Sequence, residues 1–290
     1  MQIKDLVANN VQKLWPFQRT VYSPLFCKGG RYFWLNLNGH RILPITLSCI
    51  LTSACGLMPN KTIKDPMTSS ELAKLNLEMG VRYLEMGKLE TAKEKLETAY
   101  DLDSSNPETH NALAVYYERL KNDEEATDFY QSAIRKAPEN YSIKNNYGRF
   151  LCERGKHDQG MALLQESLDS AFNQRTWMAL TNIGICHELK NDAAKSEDYF
   201  RRALQANPEY PPALQAMLKI SYNNQQYMSA RAFLERFMAV SKHTPETLWF
   251  GFQTERALGN RQTADSYKDQ LISTFPTSKE ALQVKTAISK

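Results

Sequence analysis

No stretch of this 290-residue chain is apolar over the ~18–20 residues that a membrane-crossing helix needs, which excludes a multi-span helical membrane protein. Five cysteines are too few for a disulfide-dense scaffold, and 12 glycines exclude a collagen-like repeat. No sustained heptad supports a coiled coil. A basic excess is also missing from most of the chain. Residues 1–54 hold Lys4, Lys13, Arg19, Lys28, Arg31 and Arg41 against Asp5, so 30 of the 36 bases and 31 of the 32 acids fall in residues 55–290. A body with a net charge of −1 offers no basic face, so nucleic acid is not expected as a partner. With 42% hydrophobic and 23% charged residues, the chain has material for a folded core.

Catalytic signatures are equally scarce. His40, His110, His157, His187 and His243 include no pair three or four residues apart, the spacing that would set two metal ligands on one helix face. There is no phosphate-binding G-x-x-x-x-G-K-[ST] loop, no G-x-S-x-G and no dinucleotide fingerprint. Cys186-His187 invites a thiol-catalysis reading, but adjacent helical residues point about a third of a turn apart, and His187 falls where other repeats place a packing tyrosine. No enzyme, cofactor, metal or small-molecule substrate is expected.

What the chain does contain begins with an export-like segment. Ile42–Leu51 is its sustained N-terminal apolar run, preceded by His40-Arg41 and followed by Thr52-Ser53-Ala54-Cys55-Gly56. This resembles a bacterial lipobox, in which the cysteine is acylated. Ser53 and Ala54 fit; Thr52 does not, and Leu51 sits one place early. Residues 1–54 are thus read as a leader, in which residues 1–39 are either an unusual leader segment or the product of a mis-assigned start, the second placing initiation near Leu35 or Leu37. Residues 55–68 form a lipidated tether, and residues 69–290 a repeat domain.

A 34-residue step organises that domain. Gly80 to Gly148 and Gly87 to Gly155 each span 68 residues, Ala92 to Ala126 spans 34, and Ser196, Ala230 and Ala264 follow at 34 each. Pro138, Pro208 and Pro276 keep nearly the same period, with a two-residue slip in the third unit. The units are 73–106, 107–140, 141–176, 177–210, 211–244 and 245–278. Leu113, Ala114, Tyr117, Ala126, Tyr130, Ala133 and Pro138 in unit two fall at the apolar, small, aromatic and Pro sites of a pattern that resembles the tetratricopeptide repeat. The fold this implies is all-α: a right-handed α-solenoid of about six helix pairs, with Lys279–Ser289 as a C-terminal capping helix. Thr68 and Glu71 read as a capping box opening the first helix.

In such a repeat, positions 2, 5, 6, 9 and 12 of each first helix turn to the concave side. They supply Asn111 and Val115; Asn145, Asn146 and Arg149; Thr181 and Asn182; then Gln215 and Lys219. A row of amides can hydrogen-bond an extended peptide backbone, and Arg149 and Lys219 could meet a carboxylate. The competing reading is a solvated face, or amides bonding within the helix layer. In unit one the equivalent positions are apolar, Leu77, Val81 and Leu84, and read as a docking groove, unless the chain's own Asn60–Ser70 covers them.

At Asn145–Gly155 the run NNYGRFLCERG, together with Cys55 and six repeats, resembles the PilF/PilW family of type IV pilus biogenesis lipoproteins, the pilotins, over about residues 42–282. That resemblance implies an outer-membrane lipoprotein facing the periplasm, which binds the pilus secretin and promotes its localisation and multimerisation. A general periplasmic adaptor and a cytoplasmic chaperone scaffold are the competing classes. Cys152 and Cys186 lie 34 residues apart on consecutive first helices, so an oxidising compartment would favour a disulfide between them; two buried free thiols are the alternative.

Overall fold

The computed structural model of the protein describes residues 67–288; Cys55 and the leader lie outside them. Thirteen helices and no strand are found among the described residues. Six antiparallel pairs follow in order: α1 (Ser69–Glu85) with α2 (Leu89–Leu102), α3 (Pro107–Arg119) with α4 (Asp123–Lys136), and α5 (Tyr141–Glu153) with α6 (His157–Asp169). Then come α7 (Thr176–Leu189) with α8 (Ala193–Ala206), α9 (Pro211–Asn223) with α10 (Tyr227–Val240), and α11 (Pro245–Ala257) with α12 (Arg261–Thr274). Helix α13 (Lys279–Ile288) follows the last pair and seats Ala281 and Val284 on the buried side chains of Leu248 and Leu271. The first helices also pack on one another along the chain, α1 on α3, α3 on α5, α5 on α7 and α9 on α11, giving an all-α solenoid.

Local chemistry sets the boundaries. The Thr68 hydroxyl accepts from the Glu71 amide at 3.2 Å while the Thr68 amide donates to the Glu71 carboxylate at 2.8 Å, closing the capping box. Asn106 and Thr244 cap α3 and α11, with Pro107 and Pro245 in the first turn, where no N–H is required. Helices α4, α8 and α12 each stop two residues short of Pro138, Pro208 and Pro276. Between the two helices of every unit one residue is left-handed: Gly87, Lys121, Gly155, Asn191, Gln225 and Gly259, with φ from 58° to 81°. Helix α1 begins at Ser69, four residues before the first unit's sequence boundary, because the Thr68 cap precedes that boundary.

Packing within a unit alternates small and large. Ala92, Ala126, Gly160, Ser196, Ala230 and Ala264 recur on the second helices and are all buried. Four residues on, Leu96, Tyr130, Leu164, Phe200 and Leu234 are fully enclosed, each burial contributing about 1.5–3 kcal/mol. In units one, three and four the large side chain fits because the facing helix carries a glycine. A methyl added at Gly80 would lie 2.5 Å from Leu96, and one at Gly184 would lie 2.9 Å from Phe200. In unit three both helices carry glycine, Gly148 and Gly160, so backbone meets backbone.

His110 is 5% exposed at the seam of units one and two, between the rings of Tyr100 and Phe129. Its Nε2 donates to the Ser104 carbonyl at 2.8 Å, while Nδ1 is buried without a partner, as suits a neutral ring. Burial holds its pKa below the usual histidine value, against the opposing pull of the Ser104 hydrogen bond. The unfolded chain therefore binds the proton more readily. The contribution of His110 is complete above pH ~6.5 and is lost as pH falls toward its folded pKa. Thermal melts between pH 7.5 and 5 should show the midpoint fall, and His110→Phe should flatten that slope.

Candidate functional site

The concave face is lined by α3, α5, α7, α9 and α11, and its polar side chains are largely committed to one another. Asn146 donates to Asn111 at 3.2 Å and Asn182 donates to Asn145 at 3.0 Å. Arg149 grips Glu118 with both terminal nitrogens, at 2.7 and 2.8 Å, and also reaches Glu153 at 2.7 Å. Lys219 donates to Glu188 at 2.7 Å, and Gln215 to Glu246 at 2.6 Å. Each bridge joins one first helix to the next or lies along it, so the row forms a ladder binding unit to unit.

Electrostatics follow from that ladder. Burial opposes the charge on Arg149, yet the hydrogen bonds and charges of Glu118 and Glu153 outweigh it and hold its pKa above the ordinary value. The Glu188 hydrogen bond raises the Lys219 pKa in the same way, against the pull of desolvation. Burial drives the Tyr130 phenol well up, and that hydroxyl donates to Glu118 at 2.9 Å. Neither Arg149 nor Lys219 is thus an unspent cation waiting for a partner's carboxylate.

Several expected partner-binding residues are structural. Asn145 and Thr181 are buried at 5% and 2%, and the Thr181 hydroxyl donates to the Trp177 carbonyl. Val115 packs between the cores of units one and two. Leu84 is core, 5% exposed against Leu96, Leu113 and Tyr116, and Leu77 packs on the same cluster. Position 12 faces the next unit's first helix closely enough to be covered, which removes Leu84 from any groove. Val81 remains exposed, joined on α1 by Leu72 and Leu75. Leu75 and Met79 correspond, one repeat later, to the buried Thr109 and Leu113, which pack against a preceding unit; unit one has none among the described residues.

Cys152 on α5 and Cys186 on α7 form a disulfide, with sulfurs 2.07 Å apart and Cα atoms 5.4 Å apart. His157 Nδ1 lies 4.0 Å from the Cys186 sulfur, so three metal-type donors cluster within 4.8 Å, but the two sulfurs are spent on each other. His187 stacks on Tyr199 with ring centroids 5.4 Å apart, which is a packing role.

The sequence reading missed Glu118, Glu188 and Glu246, and a signal for them existed. Glu118–Arg149, Glu188–Lys219 and Gln215–Glu246 are each 31 residues apart, one repeat less one helical step. Between these rungs the face opens into cavities, the larger about 420 Å³, between units four and five.

Helix pairs stacked at this period, with small residues at the crossings, define a tetratricopeptide-repeat solenoid. The tetratricopeptide repeat family matches residues 77–141 and again 140–209. The chain is homologous to PilF, the type IV pilus assembly protein of Pseudomonas aeruginosa, at 28% identity over 205 residues, which is 70% of this chain and 81% of PilF. The solved structure of Pseudomonas aeruginosa PilF superposes with a TM-score of 0.61 at 26% identity, covering 76% of this chain and 99% of that one. PilW, described as a widely conserved type IV pilus biogenesis factor, gives 0.61 at 27%, covering 74% and 98%.

Proposed function

We propose that this protein is a pilotin: an outer-membrane lipoprotein, anchored through Cys55 and facing the periplasm, that binds the type IV pilus secretin and promotes its localisation and multimerisation. The observation that carries this reading is the likeness to PilF over nearly the whole of that protein's repeat array. The solenoid supplies a rigid adaptor surface and no assembled catalytic constellation is found among the described residues. On this reading the secretin docks at the N-terminal end of unit one, on Leu72 and Leu75, which are 38% and 40% exposed, and reaches round to Val81 on the concave side, 37% exposed. Covering these side chains recovers burial energy that solvent exposure forfeits.

Affinity capture of the full-length protein from envelopes should bring a secretin with it, and mass spectrometry should find Cys55 acylated at the mature N-terminus. Leu75→Glu with Val81→Glu should abolish capture and leave the melting curve nearly unchanged, since both side chains are already partly in water. Capture retained by that variant counts against the docking face; failure of the parent protein to capture any secretin counts against the pilotin reading itself.

A further inference from the structure

The cavity between units four and five has an unusual combination of lining groups. Its accessible apolar lining is Ile185, Pro211 and Ala216, all partly exposed, set over the enclosed rings of Phe200 and Phe237. Its mouth carries Glu188 and Glu246 against one cation, Lys219. Glu188 takes Lys219 for itself at 2.7 Å. Glu246 is left with a neutral donor, Gln215, and forms no ion pair among the described residues. An apolar lining under a surplus carboxylate suits a side chain with a hydrocarbon stem and a cationic head. At about 420 Å³ the cavity lies within the ~300–1,000 Å³ of ordinary ligand pockets. A second cavity of about 380 Å³ shares Glu188 and Lys219 as its wall, so an extended chain laid along the face would cross both.

We propose that this cavity is the anchor site for an extended, basic segment of a partner protein, with an arginine or lysine stem over Ile185, Pro211 and Ala216 and its charge on Glu246. This rests on the reading that the protein is an adaptor for an extended partner segment. An acidic segment would set a third carboxylate beside Glu188 and Glu246, and a wholly apolar one would strip water from Glu246 without replacing it. Gln215 holds Glu246 in place and is displaced or shared when the cation arrives.

The test uses short random peptides displayed on phage and selected on the immobilised full chain. Selected peptides should be enriched in arginine or lysine beside an apolar residue. Measured by fluorescence anisotropy, their affinity should fall about tenfold in Glu246→Gln, the loss of one charge-assisted contact at a partly exposed site. Gln215→Ala, which frees Glu246, should hold or strengthen binding, and both variants should melt with the parent. Selected peptides without a basic preference, or with affinity unmoved by Glu246→Gln, overturn the proposal. If such peptides still respond to Asn111→Arg or Asn146→Arg, the concave face binds peptide elsewhere and the adaptor reading stands. If no selected peptide responds to any concave substitution, the concave face is not the binding surface and both fall.

Discussion

A Cys152→Ala, Cys186→Ala double variant is expected to unfold about 3–4 kcal/mol more easily than the parent chain. The bond spans 34 residues of sequence, and closing a loop of that size removes unfolded-state entropy worth about that much in the chain-entropy model. The link also joins α5 to α7, the first helices of adjacent units, and a repeat array depends on such nearest-neighbour contacts. Urea unfolding under non-reducing conditions, followed by helical ellipticity, measures the difference. Because both cysteines are at most 1% exposed, the folded parent should also resist reductant and lose the bond only as it opens. Coincident unfolding curves for parent and variant, or labelling of Cys152 and Cys186 themselves in the denatured, unreduced parent, would sink the idea.

Gly160→Ala is expected to lower stability by about 2 kcal/mol, although alanine is the better helix former. Two effects oppose each other. Helix propensity favours the alanine by roughly 0.5–1 kcal/mol. Against that, the new methyl would lie 2.5 Å from the Gly148 carbonyl oxygen, 2.6 Å from the Cys152 sulfur and 2.9 Å from the Cys152 amide. Two of these neighbours are backbone atoms and the third is tied into a disulfide, so none can swing aside as a flexible side chain would. Overpacking of this kind costs about 1–3 kcal/mol, and the rigid surroundings place it at the upper end. The clash wins. Chemical denaturation of Gly160→Ala beside Ala92→Gly, where the same repeat position carries alanine without strain, separates overpacking from propensity. An unchanged or raised midpoint for Gly160→Ala would show that α5 and α6 part at little cost. Because the methyl presses on Cys152, its effect should not add to that of the cysteine pair.

The one-dimensional repeat explains why so much of the architecture was legible. Each unit contacts mainly its neighbours, so the same local demands recur every 34 residues and the spacing of Gly, Ala and Pro exposes them. The helix pairs, the capping box at Thr68 and Glu71, and the closing helix over Leu248 and Leu271 are short-range consequences of residue type. What could not be read one helix at a time is what position 12 of one unit meets on the first helix of the next. Leu84 and Leu113 become core there, Glu118 closes on Arg149, and Cys152 closes on Cys186. The same repeat position is therefore apolar seam, salt bridge or disulfide according to the residue stacked beside it. Sequence alone determined where the helices begin, turn and stop, because caps, left-handed glycines and prolines act locally. Only the tertiary structure decided that Asn145, Asn146, Asn182 and Arg149 bond to their neighbouring helices while Glu246 takes Gln215 and forms no ion pair among the described residues, because hydrogen-bond partnership depends on a distance between helices that no single helix encodes.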